Sequence, residues 1–324
     1  MRRTTVLFLL LLAAMAAGAL EVERGDIRLV LHDRSSRFSA YVRHEGDWVP
    51  LFFAEDPRTS GLDILENNQI HRMGDSGVFE QETELIEGGA RFVWTSRTLR
   101  VVQSFLLTQG VRSDTFDALE MSITVTNAGE EPSRVGARLL FDTYLGEPSN
   151  THFVTPGAER ITRETALEPG PVNRYVASVP DPDAVYGFQV MALGDEITQP
   201  ATIVVANWQR LSSAAWDYEV NQTRNFNRLP YSINDSAMAV LYEPEQLRGG
   251  EQYRVVVRLG DLSPEGYVNP SIAMETTGTN PLIARLSALI VQLNQLIEAD
   301  EVDEEEVARL QAELDSLADL VRRR

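Results

Sequence analysis

The stretch Leu119–Phe141, LEMSITVTNAGEEPSRVGARLLF, decides the fold class. Leu119, Met121, Ile123 and Val125 alternate with Glu120, Ser122, Thr124 and Thr126. Asn127-Ala128-Gly129-Glu130-Glu131-Pro132 interrupts the alternation, and Val135, Ala137, Leu139 and Phe141 resume it. Side chains of a strand point to opposite faces in turn, so a period of two marks strands with one buried face. Turn-forming residues between two such runs predict a hairpin.

The pattern spreads outward from there. Ile27, Leu29 and Leu31 alternate with polar neighbours, Phe38, Ala40 and Val42 repeat the pattern, and His44-Glu45-Gly46-Asp47 reads as a turn before Trp48. Downstream come Ile203 and Val205, then Met238, Val240 and Tyr242, then Tyr253, Val255, Val257 and Leu259. Many strands with no amphipathic helix between them predict a mainly β fold, a large antiparallel β-sandwich. Two stretches read as loop-rich, Glu55–Gly77 and the proline-rich Gly146–Asp183. Long loops on a β scaffold are where a binding site is expected.

The two ends differ in kind. Arg2 and Arg3 precede the apolar run Val6–Ala17, and Ala17-Gly18-Ala19 supplies small residues for cleavage. This succession predicts a secretory signal peptide over residues 1–19 and a periplasmic or extracellular protein with no stable membrane insertion after cleavage. Residues 20–262 then form the sandwich, and 263–281 read as a linker. In the tail, Leu282, Leu286, Leu289, Leu293 and Leu296 follow heptad spacing, as do Val307, Leu310, Leu314, Leu317 and Val321. Such seams predict an α-helical pair or coiled coil over 282–324 that associates with itself or with a protein partner. Asp300 and Asp303 fall in the seam between the two runs, and Asp303 with Glu306 forms a capping pair, which favours a break there.

Composition excludes several chemistries. The chain of 324 residues carries a formal charge of −19, so nucleic acid is not expected as a partner. There is no cysteine, hence no disulfide and no thiolate chemistry. All 29 basic residues are arginine, which removes lysine Schiff bases and Walker-type phosphate sites. His32, His44, His71 and His152 show no metal-ligand spacing, His32 and His44 read as surface, and neither a metal nor a cofactor is expected.

Two groups remain as candidates for chemistry. Asp142 and Glu147 lie in FDTYLGE with His152 just beyond, and Glu147 with His152 supplies the residue types of an acid–base pair. The other reading has Asp142 capping a strand end and Glu147 solvated. Asn207, Trp208, Trp216, Tyr218 and Arg224, with Asn225-Phe226-Asn227, mix aromatic rings, amides and guanidinium groups, which suits sugar or peptide recognition. The alternative for them is sandwich core with ordered loops.

The sequences LEMSITVTNAGEEPSRVGARLLFDTYLGE, HFVTPGAERITRET, ANWQRLSSAAWDY and NDSAMAVLYEP resemble the galactose-mutarotase-like supersandwich class, and within it exported, spirochaete-type envelope proteins. The resemblance spans roughly Ile27–Leu259 and implies fold and compartment. The His-Pro-Tyr or His-Pro-Phe element typical of true mutarotases is absent, since Phe153 and Val154 follow His152, so no catalytic residue carries across. The expectation is therefore a non-catalytic envelope structural or interaction protein associating through its tail. The alternative is a carbohydrate-binding module or degenerate mutarotase-like enzyme, with Asn207, Trp208, Trp216, Tyr218, Arg224, Asp142 and His152 as candidate ligand contacts.

Overall fold

The computed structural model describes residues 19–157 and 160–271. The segment before Ala19, read from the sequence as a signal peptide, and the heptad-spaced tail from Leu282 to Val321 lie outside the described residues.

The described chain is almost wholly β. A four-stranded antiparallel sheet runs β1 (Ala19–Arg24), β2 (Ile27–His32), β3 (Arg37–His44) and β4 (Asp47–Pro50) in order. The β3–β4 hairpin turns at Glu45 and Gly46, both at positive φ, as tight hairpins require.

Two larger sheets follow. One is built on β5 (Gly61–Glu66), β6 (Gln69–Arg72), β11 (Ser133–Thr143), β14 (Thr165–Leu167), β17 (Thr202–Asn207) and β18 (Ser236–Leu241), in the order β14-β17-β18-β11-β5-β6, with β19 (Glu245–Leu247) added on β11. The nine-stranded sheet contains β7 (Glu80–Ile86), β8 (Gly89–Thr95), β9 (Leu99–Thr108), β10 (Ala118–Asn127), β12 (Phe153–Val154), β13 (Arg160–Ile161), β15 (Tyr175–Ser178), β16 (Phe188–Met191) and β20 (Gln252–Gly260). Its order is β13-β12-β15-β16-β20-β10-β9-β8-β7.

The alternating residues fill the core between the sheets. Leu119, Met121, Ile123 and Val125 are fully buried, as are Val135, Ala137 and Leu139. Phe52, Phe141 and Phe188 interlock there with centroids 5.1–5.7 Å apart, and Phe38 of β3 meets Phe105 of β9 at 4.6 Å. Such pairs add roughly 0.5–1.5 kcal/mol beyond the area they bury.

The hairpin expected from Leu119–Phe141 does not form. β10 pairs with β9 and β20, whereas β11 pairs with β5, β18 and β19. The connection crosses from one sheet to the other, so the two apolar runs face each other through the core. Asn127 fixes the crossing: its side-chain amide donates to the carbonyls of Glu131 and Leu247, and its oxygen accepts from Gly129 N–H.

Three further stretches differ from expectation. Glu55–Gly77 contains β5 and β6, whose pairing Asp63↔Arg72 joins opposite charges across strands. Gly146–Asp183 contains β12–β15, too short for a periodic signal. The packed unit also runs on to Pro270, with Tyr267 buried and its hydroxyl donating to Asp261 O at 2.6 Å. The stretch read as a linker from residue 263 therefore starts inside the fold.

Candidate functional site

Between β17 and β18 the chain makes a long excursion, residues 208–235, which lies as an arm over the outer face of the six-strand path. Asn207 closes its base by donating to Ser232 O and Asp235 O, and it caps the short helix α1 (Trp208–Ser212) by accepting from Gln209 N–H. Leu211 joins Leu140, Val204, Ala206, Ala237, Ala239 and Leu241 in a second apolar cluster, with Trp208, Tyr218 and Val220 packed against it. Trp208 Nε1 donates to Thr59 O at 2.8 Å. Trp216 lies 3.0 Å from where a Cβ on Gly136 would stand, beside the Arg138 guanidinium.

Under the arm four arginines share two carboxylates. Arg138 and Arg72 both hold Asp63, at 2.8 and 3.0 Å, and donate to Ala215 O and Ser212 O. Arg210 reaches Glu164 at 2.7 Å and Arg224 reaches it at 3.6 Å. Glu164 is buried, and it also accepts from Asn221 N–H. Tyr218 accepts from Arg210, and Arg224 stacks on Tyr231 with 5.0 Å to the ring centroid.

The acidic candidates form a separate group at the ends of β11 and β18. Glu147 accepts from the backbone N–H of Ser236 at 2.8 Å. Burial pushes its carboxyl up to about 8, helped by the nearby carboxylates of Asp235 and Asp142 and opposed by that hydrogen bond. Burial likewise raises Asp142 to about 7, against a hydrogen bond from Thr59. Glu147 is thus half-buried and held by backbone, not solvated. His32 and His44 are also only part-exposed: His32 bonds Ser39 and His44 stacks on Tyr186.

His152 lies in a tightly wound loop. Both Thr151 and His152 donate their N–H groups to Gly146 O, and Asn150 and His152 adopt positive φ of 55° and 53°. That conformation is uncommon outside glycine, and strained backbone concentrates at ligand sites. A Cβ at Gly146 would stand 2.5 Å from His152 N, so only glycine closes this loop. The His152 ring lies on Phe226 of the arm at 4.3 Å, and its Nδ1 is buried without a hydrogen-bond partner. Burial alone lowers the imidazole to about 4, so it is neutral at physiological pH.

Around His152 opens a cleft of about 200 Å³, lined by Asn150, Arg163, Asn225, Phe226 and Asn227 among others. Asn227 donates to Asn150 across it, and the Arg163↔Asn225 bridge holds the arm to the β13–β14 connection. A second cleft of about 250 Å³ adjoins it, sharing Thr162 and Arg163 and reaching Arg160, Thr155 and Asn173. β13 and β14 are the terminal strands of their respective sheets. The shared residues therefore cross the open edge of the sandwich, and the two clefts make one groove along it.

The candidate residues thus separate. Asn207, Trp208, Trp216, Tyr218 and Arg224 belong to the arm and its packing, and Asp142 to the buried acidic group. His152 alone lines the groove, together with the Asn225-Phe226-Asn227 stretch. Asn150, Arg160, Thr162 and Arg163 were not singled out from the sequence. Arg160 and Arg163 stand beside Glu159 and Glu164 there and look neutralised, and only the fold shows Glu164 buried against the arm.

No protein-family profile matches the chain, and no curated protein matches it. Among solved structures, a galactose mutarotase-related enzyme from Lactobacillus acidophilus is similar at 12% identity and a TM-score of 0.40, covering 78% of this chain and 99% of its own. A galactose mutarotase-like protein from Lactobacillus casei is similar at 12% identity and a TM-score of 0.38, covering 76% of this chain and 100% of its own. A polysaccharide lyase is similar at 10% identity and a TM-score of 0.46, covering 74% of this chain and 32% of its own. No residue role is carried over from these proteins.

Proposed function

We propose that this chain is an exported, non-catalytic binding protein whose β unit holds a saccharide in the open-edge groove and whose heptad tail supplies association. The observation that carries the saccharide reading is the groove lining. The exposed side chains of Asn150, Asn225 and Asn227 line the cleft beside the His152–Phe226 ring pair, which is itself buried. Side-chain amides offer both donors and acceptors, which is what a sugar's hydroxyls need.

The absence of turnover is argued from the acid and base candidates. Glu147 is bonded to Ser236, and His152 has no carboxylate within hydrogen-bond reach among the described residues. Acid–base catalysis needs both groups on one reacting atom. The test is a panel of soluble oligosaccharides titrated into the mature chain by calorimetry, with product analysis on the same samples. Binding that weakens on Asn227→Ala, with no product formed, is the expected result. Turnover, or no binding across the panel, overturns the reading.

For the tail, light scattering on the mature chain and on a version ending at Thr276 is expected to show loss of association on truncation. Two equal monomers, with no difference in pull-downs from envelope extract, would remove the tail from the proposal.

A further inference from the structure

The charge lining the groove runs against the charge of the molecule. The chain carries −19, yet no aspartate or glutamate lines either half of the groove among the described residues, while Arg160 and Arg163 do. Glu159, which precedes Arg160 in the sequence, lies outside the described residues. Arg163 lines both clefts and is exposed, and neither arginine makes an ion pair within the described chain. Arg160 is oriented by a hydrogen bond to the buried Thr151 at 3.0 Å.

A third cleft shows what a self-neutralised site looks like here. It is lined by Arg174 and Arg258, but Asp195 and Glu265 line it too, and Arg258 pairs with Glu120 and Glu196. The arginines under the arm are likewise held by the buried carboxylates Asp63 and Glu164. Against that background, two arginines lining one cleft, with no carboxylate among its described lining residues, leave charge for a partner. Guanidinium groups match carboxylate and sulfate geometry through paired hydrogen bonds.

Resting on the saccharide reading above, we propose that the groove takes an acidic saccharide. A neutral ring lies against the asparagine end, and a carboxylate or sulfate substituent is held by Arg163 and Arg160. The shared residues Thr162 and Arg163 let one oligomer occupy both clefts, so the ligand is a chain and not a single sugar. The −19 charge repels such a polyanion elsewhere and so confines it to this edge.

The test titrates three probes into the mature chain: a short oligogalacturonate, the same oligomer with its carboxyl groups reduced, and a sulfated oligosaccharide of equal length. At least one acidic probe is expected to bind about 10-fold or more tighter than the reduced one, through its charge-assisted hydrogen bonds. Added salt should shrink that advantage, because the contacts are solvent-exposed. Arg163→Gln should remove most of it with the melting temperature unchanged, and Arg160→Gln part of it. The tighter of the two acidic probes tells carboxylate from sulfate. If the reduced oligomer binds as tightly as both acidic ones, the acidic inference is overturned while saccharide binding stands. If no probe binds, both fall. If inorganic sulfate displaces the oligomer at equal concentration, the groove is a simple anion site and the inference is overturned.

Discussion

The two sets of arginines on this molecule are used in opposite ways. Under the arm, Arg72, Arg138, Arg210 and Arg224 share two buried carboxylates, Asp63 and Glu164; Arg72, Arg138 and Arg224 donate further to backbone carbonyls, and Arg210 to the Tyr218 hydroxyl. At the open edge, Arg160 and Arg163 are exposed and pair with no carboxylate of the described chain. Desolvating a guanidinium group is tolerable only with a partner, so the buried Arg138 and the part-buried Arg72, Arg210 and Arg224 report what holds the arm down. An exposed, unpaired set contributes little to folding and is free for a ligand. The same residue type is structural or functional according to whether its charge is already spent.

The comparison is broken most strongly at Asp63. Asp63→Asn leaves Arg138 buried beside a neutral amide and is expected to cost about 3–5 kcal/mol in denaturant unfolding. A loss under about 1 kcal/mol would mean that the pairing under the arm matters little. Glu164→Gln comes next, at about 2–3 kcal/mol, because its two arginine partners keep some solvent. It should also weaken oligosaccharide binding, since the arm carries Asn225–Asn227 to the groove.

A smaller effect is expected from Glu147. Its folded pKa of about 8 stands above the ordinary 4.5, so the folded state holds the proton more tightly. That contribution is complete below about pH 4.5 and is lost as pH rises through about 8. Unfolding measured across this window should show stability falling with pH. Glu147→Gln should flatten the fall by about 1–2 kcal/mol, allowing for the partial exposure of the carboxyl. A variant that keeps the wild-type slope would assign the pH dependence elsewhere, with Asp142 the next candidate.

Much of the fold was legible from period-two alternation, because burying one face of a strand is a local property of the sequence. Leu119–Val125 and Val135–Phe141 occupy the core positions that their spacing demands. What local pattern does not encode is which strand pairs with which. A turn rich in glycine and asparagine serves a hairpin or an arch between sheets equally well, and Asn127 decided it through Leu247 O, 120 residues away. The site was legible only at His152 and Asn225–Asn227. The aromatic residues that looked most like a sugar platform, Trp208, Trp216 and Tyr218, cover the outer sheet face instead. A ring's affinity for an aliphatic sheet and for a sugar leaves the same signature in one dimension.

The smallest expected effect on folding belongs to the residues given the largest role in binding. Arg160→Gln and Arg163→Gln, singly or together, should change unfolding by less than about 0.5 kcal/mol, as exposed substitutions do. A larger loss would place them among the structural arginines and erase the contrast.

The proposed division between a structural arm face and a binding edge is tested most directly by hydrogen–deuterium exchange on the chain from Leu20 onward, with and without a short oligogalacturonate. The account predicts slowed exchange at Asn150–His152, Thr162–Arg163 and Asn225–Asn227, with Trp208–Tyr218 unchanged. Protection centred on Trp208–Tyr218, with the open edge unaffected, would contradict it.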